Sequence, residues 1–284
     1  MRYRFIREHV GRYPVRLLCR ALSVTRSAYY AWAAAGADVI EAEELALRRE
    51  MKAHFKASRA SCGSRRMTRH LREEGFSIGR YRVRRLMRQM NLVVKQKRRF
   101  QVTTDSKHDL PVAPNVLDRQ FNPSAPNTVW ATDITYIWTR EGWVYLAVVI
   151  DLYARRVVGW QQGKRMDTGL VIRALEMAVG QRKPPPGLIH HSDRGSQYAS
   201  RQYQRLLKAH GMVCSMSRKG NCWDNAPVER FFSSLKREWI GDRLYWSRQE
   251  AIDDVRAYIT MYYNTRRLHS TLGYQSPAQY EKAA

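Results

Sequence analysis

Residues 129–161 read VWATDITYIWTREGWVYLAVVIDLYARRVVGWQ, and β-branched and aromatic side chains dominate three runs within them. Val129 to Trp138 and Trp143 to Leu152 are strand-like and are separated by Thr139-Arg140-Glu141-Gly142, a hairpin-sized turn; Arg156 to Gln161 makes a third strand. Downstream, Asp167 is a good helix N-cap, and the helix it opens runs to about Gln181, where Lys183-Pro-Pro-Pro-Gly ends it. A strand over 188–191, a helix over 200–209 and a strand over 212–215 follow. The order is βββαβαβ, which predicts an α/β domain built on a mixed five-stranded sheet. A loop over 217–225 leads to a long helix from Ala226 to about Ile240, and an amphipathic helix runs from Arg248 to Tyr263.

Upstream the character is all-helical. Val15, Leu18 and Leu22 recur at helical spacing, and Ser23-Val24-Thr25 offers a turn before Arg26 to Trp32, the outline of a helix-turn-helix. A short amphipathic helix starts near Asp38, with Leu47, Met51 and Phe55 on one face and a Glu44/Arg48 pair at i, i+4. Residues 64–91 repeat the helix-turn-helix outline: Ser64 is placed to cap one helix, Gly75 stops it, and Val83, Leu86, Met87 and Met90 line one face of the next. Arg80, Arg82, Arg84, Arg85 and Arg88 lie on or beside the opposite face, with no acid between 80 and 90. A solvated charged face is the ordinary reading of such a helix. An uncompensated field of this density costs stability, however, which favours phosphate contact. From Lys95 to about Asn127 the pattern dissolves into KQKRRF and a proline-interrupted polar stretch, an extended linker by composition.

The expected division is a helix-turn-helix segment over 1–36, a helical DNA-binding domain over 37–100, a linker over 101–126, a catalytic core over 127–243 and a helical, basic extension over 244–284. The 284 residues carry 50 Lys and Arg against 25 Asp and Glu, a formal +25 at pH 7. Residues 1–108 hold 26 of those bases and 9 of the acids, so the excess is concentrated at the N-terminal end. A polyanionic partner is implied, nucleic acid first. No apolar run approaches the ~18 residues of a membrane span, and the N-terminus lacks an export signal core, so a soluble, cytoplasmic protein associated with the nucleoid is expected. Cys19, Cys62, Cys214 and Cys222 match neither a zinc spacing nor a disulfide scaffold and read as reduced thiols.

Three carboxylates stand out by location. Asp133 sits inside the first strand, where an acid is costly unless paired or metal-bound; Asp193 follows the fourth strand; Glu229 lies in the first turn of the long helix. If the first and fourth strands are neighbours, the two aspartates approach each other and a helix across the same edge brings Glu229 to them. Acids so placed also serve in buried ion pairs or at helix termini, so position alone leaves both readings open. Lys236, seven residues beyond Glu229, falls within about 20° of it on an ideal helix and about 10.5 Å along the axis, suited to hold a phosphate, although an exposed solubilising lysine reads the same. Asp151 reads as a strand-end turn carboxylate, Asp224 as a cap of the long helix and Glu238 as solvated. Of His190 and His191, one reads as core-facing and one as a phosphate donor. Trp223 either stacks on an unpaired base or plugs the core. Arg194 and Arg237 join it as DNA-contact candidates. Tyr262, Tyr263, Arg266, Arg267 and His269 read as packing and backbone contact.

Asp133, 59 intervening residues, Asp193, 35 more, Glu229 and then Lys236 resemble the DDE pattern of retroviral integrases and bacterial transposases. The strings WATDITY, HSDRGSQYAS, GNCWDNAPVERFFSSLK and YNTRRLHSTLGYQSPAQY are similar to the OrfB product of the insertion-sequence-three family, as are RYPVRLLCRALSVTRSAYYAW and GSRRMTRHLREEG upstream. Cys62 departs from that pattern, which commonly has Tyr there. The resemblance implies an RNase H-like catalytic core, a transposase activity that cuts DNA 3′ ends and transfers them to target DNA, and Asp133, Asp193 and Glu229 as ligands of two Mg²⁺ ions about 4 Å apart, with Mn²⁺ as substitute. It also implies a homo-oligomer on element-end and target DNA, and an upstream OrfA product joined by frameshifting. On that basis the chain alone is expected to discriminate its own ends weakly. Two rivals stand beside this reading. Intact acids and Lys236 weigh against a DNA-binding regulator with an inert core. The paired helix-turn-helix segments weigh against a purely hydrolytic nuclease.

Overall fold

The computed structural model describes residues 2–34, 37–94, 110–218 and 221–283. The basic KQKRRF run and the first part of the linker lie outside them. The chain divides into two compact units, Met1–Ala57 with Cys62–Val93, and Ser58–Ser61 with Val94–Ala284. No helix among the described residues is long and apolar enough to cross a membrane.

The first unit is all-helical. Helices α1 (Arg2–His9), α2 (Val15–Ala21) and α3 (Arg26–Ala34) enclose a small cluster of Ile6, Leu18, Cys19 and Tyr29. Helix α4 (Ala37–Ala57) is 21 residues long, more than the four turns its apolar spacing indicates, and it buries Leu47 and Met51. The Glu44–Arg48 pair forms at 2.7 Å. Helix α5 (Ser64–Glu73) buries Met67 and Leu71, and α6 (Arg80–Gln89) buries Val83, Leu86 and Met87. Ser64 does not cap α5: Gly63 holds the N-cap position without a side-chain bond, and the Ser64 carbonyl accepts from Thr68 Oγ1 at 2.7 Å. Gly75, at φ +90°, ends the helix as its sequence position indicates, with the Phe76 N–H returning to the Leu71 carbonyl.

The second unit is a three-layer α/β domain. Strands β1 (Val129–Thr139), β2 (Gly142–Asp151), β3 (Arg156–Gly163), β4 (Ile189–Ser192) and β5 (Val213–Met216) form one sheet in the order β3-β2-β1-β4-β5. The first three strands pair antiparallel, whereas β4 lies parallel to β1 and β5 parallel to β4. β2 shows why its sequence lacks polar alternation. Val144, Leu146, Val148 and Ile150 enter one core, while Ala147 and Val149 enter the other, because both faces are covered. Helices α7 (Thr168–Arg182), α8 (Ser196–Ala199) and α9 (Arg201–Ala209) cover the second of these faces. Helices α10 (Ala226–Ser234) and α11 (Arg248–Ala257), each continued by a π-helical turn, Leu235–Ile240 and Tyr258–Tyr263, cover the first. A last short helix, α12 (Pro277–Lys282), opens on a Ser276/Gln279 capping box.

The Asp167 carboxylate accepts from the Leu170 N–H at 2.9 Å and so starts α7. That helix lies so close to β3 that a Cβ on Gly159 would stand 2.2 Å from the Ala174 carbonyl oxygen and 2.8 Å from the Ala178 nitrogen. Gly159→Ala is therefore expected to cost about 3 kcal/mol in urea unfolding, at the upper part of the usual overpacking range. A loss below about 0.5 kcal/mol would mean that α7 slides without penalty. Residues 110–126, linker-like in composition, are packed: Leu117 is buried, and the Val116 and Leu117 N–H groups donate to Ser215 Oγ.

Candidate active site

The site is built where β1 outlives its neighbour. β4 pairs with β1 only at Val129, Trp130 and Ala131, so past Ala131 that edge of β1 has no strand partner until the isolated bridge between Thr139 and Tyr245. Asp133 lies two residues into that open stretch and Asp193 directly follows β4. Each aspartate is fixed by a backbone donor: Ile134 N–H to Asp133 Oδ1 at 2.7 Å, and Gly195 N–H to Asp193 Oδ1 at 2.9 Å. Alternation puts Asp133 on the same sheet face as Val129, Ala131 and Ile137, which is the face that α10 covers, and α10 carries Glu229 in its first turn.

The electrostatics show the three acids to be neighbours. Burial pushes the Asp133 carboxyl well above the ordinary aspartate value. The Asp193 and Glu229 charges push it further, against the Ile134 bond and Lys236. Burial also raises Glu229. Lys236 is drawn below the ordinary lysine value by burial, against the pull of Asp133, and its Nζ stands 4.8 Å from the Tyr136 ring centroid. Ideal helical spacing puts Lys236 on the face of Glu229, about 10.5 Å along the axis. In the structure the π-helical turn that begins at Leu235 alters the helical register there, and the lysine's acidic neighbour is Asp133. Among the described residues no three acids, histidines or cysteines converge closely enough to form a ready-made metal cage.

Asp133→Asn tests this cost of burial and repulsion. Because the folded carboxyl titrates above its unfolded value, its ionisation destabilises the native state, and that penalty grows as pH rises from the unfolded value through the folded one. In chelator the Asn variant is expected to melt higher than the wild-type protein at about pH 7, with the advantage gone near pH 3, below the unfolded value. Equal melting at both pH values would show that burial and the neighbouring acids do not raise the Asp133 carboxyl.

Other sequence expectations are corrected here. Asp224 caps nothing. It is fully buried and accepts from Arg119 Nε, from Arg218 N and Nε, and from Asn115 Nδ2, all within about 3 Å. Burial raises its carboxyl, but the Arg218 and Arg119 bonds outweigh that and hold it well below the usual range. Both histidines are core: His190 Nε2 meets Tyr203 Oη at 3.1 Å, His191 lies between Ser215 and Ser217, and burial draws them down to about 3 and about 4. Neither is placed to donate to a phosphate. Glu238 is not solvated; it forms a two-point ion pair with Arg267 at 2.8 Å. Asp151 is the buried strand-end acceptor expected, bound to the Asn127 and Tyr153 N–H groups.

Trp223 is 70% exposed, so it does not plug the core. Arg194 is half-buried, its Nε donating to the Ser217 carbonyl at 2.7 Å, while Arg237 is exposed. In the first unit Arg80, Arg84, Arg85 and Arg88 are exposed and Arg82 is half-buried, 3.7 Å from Glu44. Arg84, Arg85 and Arg88 have no carboxylate partner among the described residues.

Two residues escaped the sequence reading. Asn225, at the N-cap of α10, donates from Nδ2 to the Thr132 carbonyl at 3.1 Å, which pins the start of the Glu229 helix one residue from Asp133. Tyr198 lies buried beneath the acids, its hydroxyl 3.3 Å from Thr132 Oγ1 and raised well above its usual value by burial and by Asp133. Asn before a helix is a capping signal, but its use as a strand clamp depends on a partner 93 positions away.

The chain matches an HTH-like domain over residues 41–100 and two integrase core domain models, over 123–222 and 210–277. It is 44% identical over 265 residues to an insertion element IS600 uncharacterized 31 kDa protein of Shigella sonnei, covering 93% of this chain and 97% of that one. It is 41% identical over 289 residues to the transposase InsF for insertion sequence IS3A of Escherichia coli (strain K12), covering 99% and 98%. Among solved structures it is similar to the HTLV-2 integrase catalytic core domain in complex with magnesium, with TM-score 0.45 and 18% identity over 56% of this chain and 99% of that one. It is also similar to a simian T-cell lymphotropic virus intasome in complex with PP2A regulatory subunit B56 gamma, with TM-score 0.48 and 17% identity over 81% and 73%. A mixed five-stranded sheet of RNase H-like order, a helix-turn-helix region ahead of it and 41% identity to InsF over nearly the full length of both chains lead to one assignment: the chain belongs to the IS3 family of insertion-sequence transposases, DNA-binding enzymes with an integrase-type DDE core.

Proposed function

We propose that Asp133, Asp193 and Glu229 hold the divalent cations of a DNA strand-cutting and joining reaction, Mg²⁺ in the first place with Mn²⁺ as substitute, two to a site. The observation that carries this is the raised Asp133 carboxyl, crowded by two further acids on an open strand edge. Buried like charges of this kind are costly, and hard oxygen donors suit small divalent cations, so the donor set fits them. When bound, such cations activate a water or 3′-hydroxyl and neutralise charge on the phosphodiester.

The chain's own groups do the positioning. The Ile134 and Gly195 N–H groups orient one oxygen of each aspartate. Asn225 fixes the register of α10 against β1, so that Glu229 faces Asp133. Asp224, held by Arg119 and Arg218, anchors the segment between β5 and α10 and leaves Trp223 exposed beside it, suited to stack on an unpaired terminal base. Lys236 supplies a cation for a phosphate of the bound strand. Arg80, Arg82, Arg84, Arg85 and Arg88 contact duplex backbone, with Arg194 and Arg237 near the core site.

Labelled element-end DNA incubated with the protein and Mg²⁺ tests the reading: a shortened strand and a longer joined product are expected on a denaturing gel. Shortened strands that never join would identify a hydrolytic nuclease, and DNA binding without any product would identify an inert regulator. The protein acts as a homo-oligomer on both element ends and in the cytoplasm, at the nucleoid. It gains end specificity from fusion to an upstream OrfA product. Footprinting separates fused from unfused protein: a sharp, sequence-specific footprint from the unfused chain would refute the need for the fusion.

A further inference from the structure

The β1–β2 hairpin carries a feature that the acids do not explain. On the sheet face opposite Asp133, the cross-strand pairs Tyr136↔Tyr145 and Trp138↔Trp143 form a row along the hairpin. Trp143 packs edge-on against Tyr136 at 4.8 Å and against Trp138 at 4.7 Å, and the two tryptophans remain 41% and 50% exposed. Exposing two indoles side by side forgoes burial of the largest apolar side chains, while the same strands bury Ile137, Val144 and Leu146 completely or nearly so.

The surroundings of the row are cationic. Lys236 Nζ lies over the Tyr136 ring at 4.8 Å, at the end nearest Asp133. Past the other end, the Arg140 guanidinium stacks at 3.5 Å on Trp246, itself 65% exposed. Glu141, at the hairpin tip, accepts from the Arg248 N–H at 2.9 Å. Tyr, Trp and Arg also serve protein interfaces; in a chain of formal charge +25, flat rings between cations match single-stranded nucleic acid, whose bases stack on aromatic faces while its phosphates meet lysine and arginine.

We propose that Tyr136, Trp138 and Trp143 form a stacking platform for unpaired DNA bases. It rests on the chain being a DNA-binding transposase and not on the assignment of the acids. Strand alternation sets the row on the sheet face opposite Asp133, and Lys236, which neighbours Asp133 and lies over the Tyr136 ring, stands between the two.

The test uses the full chain in chelator, so that binding is read without catalysis. A labelled duplex with about four unpaired thymidines at one end, in 5′ and 3′ versions, is compared with the flush duplex by fluorescence anisotropy. The wild-type protein is expected to bind one extended duplex about tenfold tighter than the flush one. Trp138→Ala/Trp143→Ala is expected to lose that preference while keeping flush-duplex affinity, and Trp138→Phe/Trp143→Phe to retain most of it. A preference absent in the wild-type protein, or unchanged in the Ala variant, overturns the proposal. So does a wild-type dimer that the Ala substitutions split with the preference intact, since the row would then be an interface between copies. Photo-crosslinking of 5-bromouracil in the extension needs no variant: adducts within residues 136–143 support the platform, and adducts confined elsewhere refute it. Failure of the metal assignment would appear separately, as strand cutting that survives Asp133→Asn.

Discussion

Asp133→Asn, Asp193→Asn and Glu229→Gln each lower strand cutting and joining by at least about 10³-fold while duplex affinity changes little, because the amide removes a metal-binding charge and leaves the basic surfaces intact. The losses are expected to be non-additive, with the triple variant no worse than the weakest single one, since three acids that share one cation site fail together. Asp133 sets the physical case: burial and the Asp193 and Glu229 charges make its ionised form costly in the free protein, and a bound cation relieves that cost. Product gels and gel shifts on the same preparations check both halves. Parallel loss of binding and catalysis would mean that the acids support the fold or the DNA surface and not the chemistry.

Arg84→Ala/Arg85→Ala/Arg88→Ala in the full chain is expected to lower duplex affinity by roughly tenfold or more at low salt and to flatten the slope of log K against log salt by about 2.7, on the basis of about 0.9 per phosphate contact. The three side chains are exposed on α6 and lack carboxylate partners among the described residues, whereas the helix is held by Val83, Leu86 and Met87 on its other face. Their removal therefore leaves the packing alone. The comparison with Arg82 is informative, because Arg82 lies 3.7 Å from Glu44 and gives up that contact to reach a phosphate. Its single substitution should change the slope less than any one of the other three. A slope unchanged by the triple substitution would place the stripe away from DNA.

Local sequence determined the elements. The β-branched and aromatic runs of β1 to β3, the Asp167 cap, the proline stop after α7 and the apolar spacing of α6 each act through neighbours a few positions away, and each is found where its residues indicate. Asp133 was legible as an anomaly, because a strand interior is a costly place for a carboxylate, but position alone left an ion pair as open as a metal site. Tertiary structure alone decided what those residues meet. Asp224 binds Asn115 and Arg119 more than 100 positions away, His190 and His191 are both enclosed, Glu238 finds Arg267, and Asn225 clamps Thr132. The end of β4 after three paired residues leaves β1 without a strand partner beside Asp133, and tertiary packing also sets Lys236 over Tyr136 and leaves Trp138 and Trp143 exposed. Helix caps and strand alternation are set by bonds that close within a turn or a pleat, so they leave a mark in adjacent residues. A pairing that closes across a hundred residues is fixed by the packing of whole layers, and no neighbouring side chain records it.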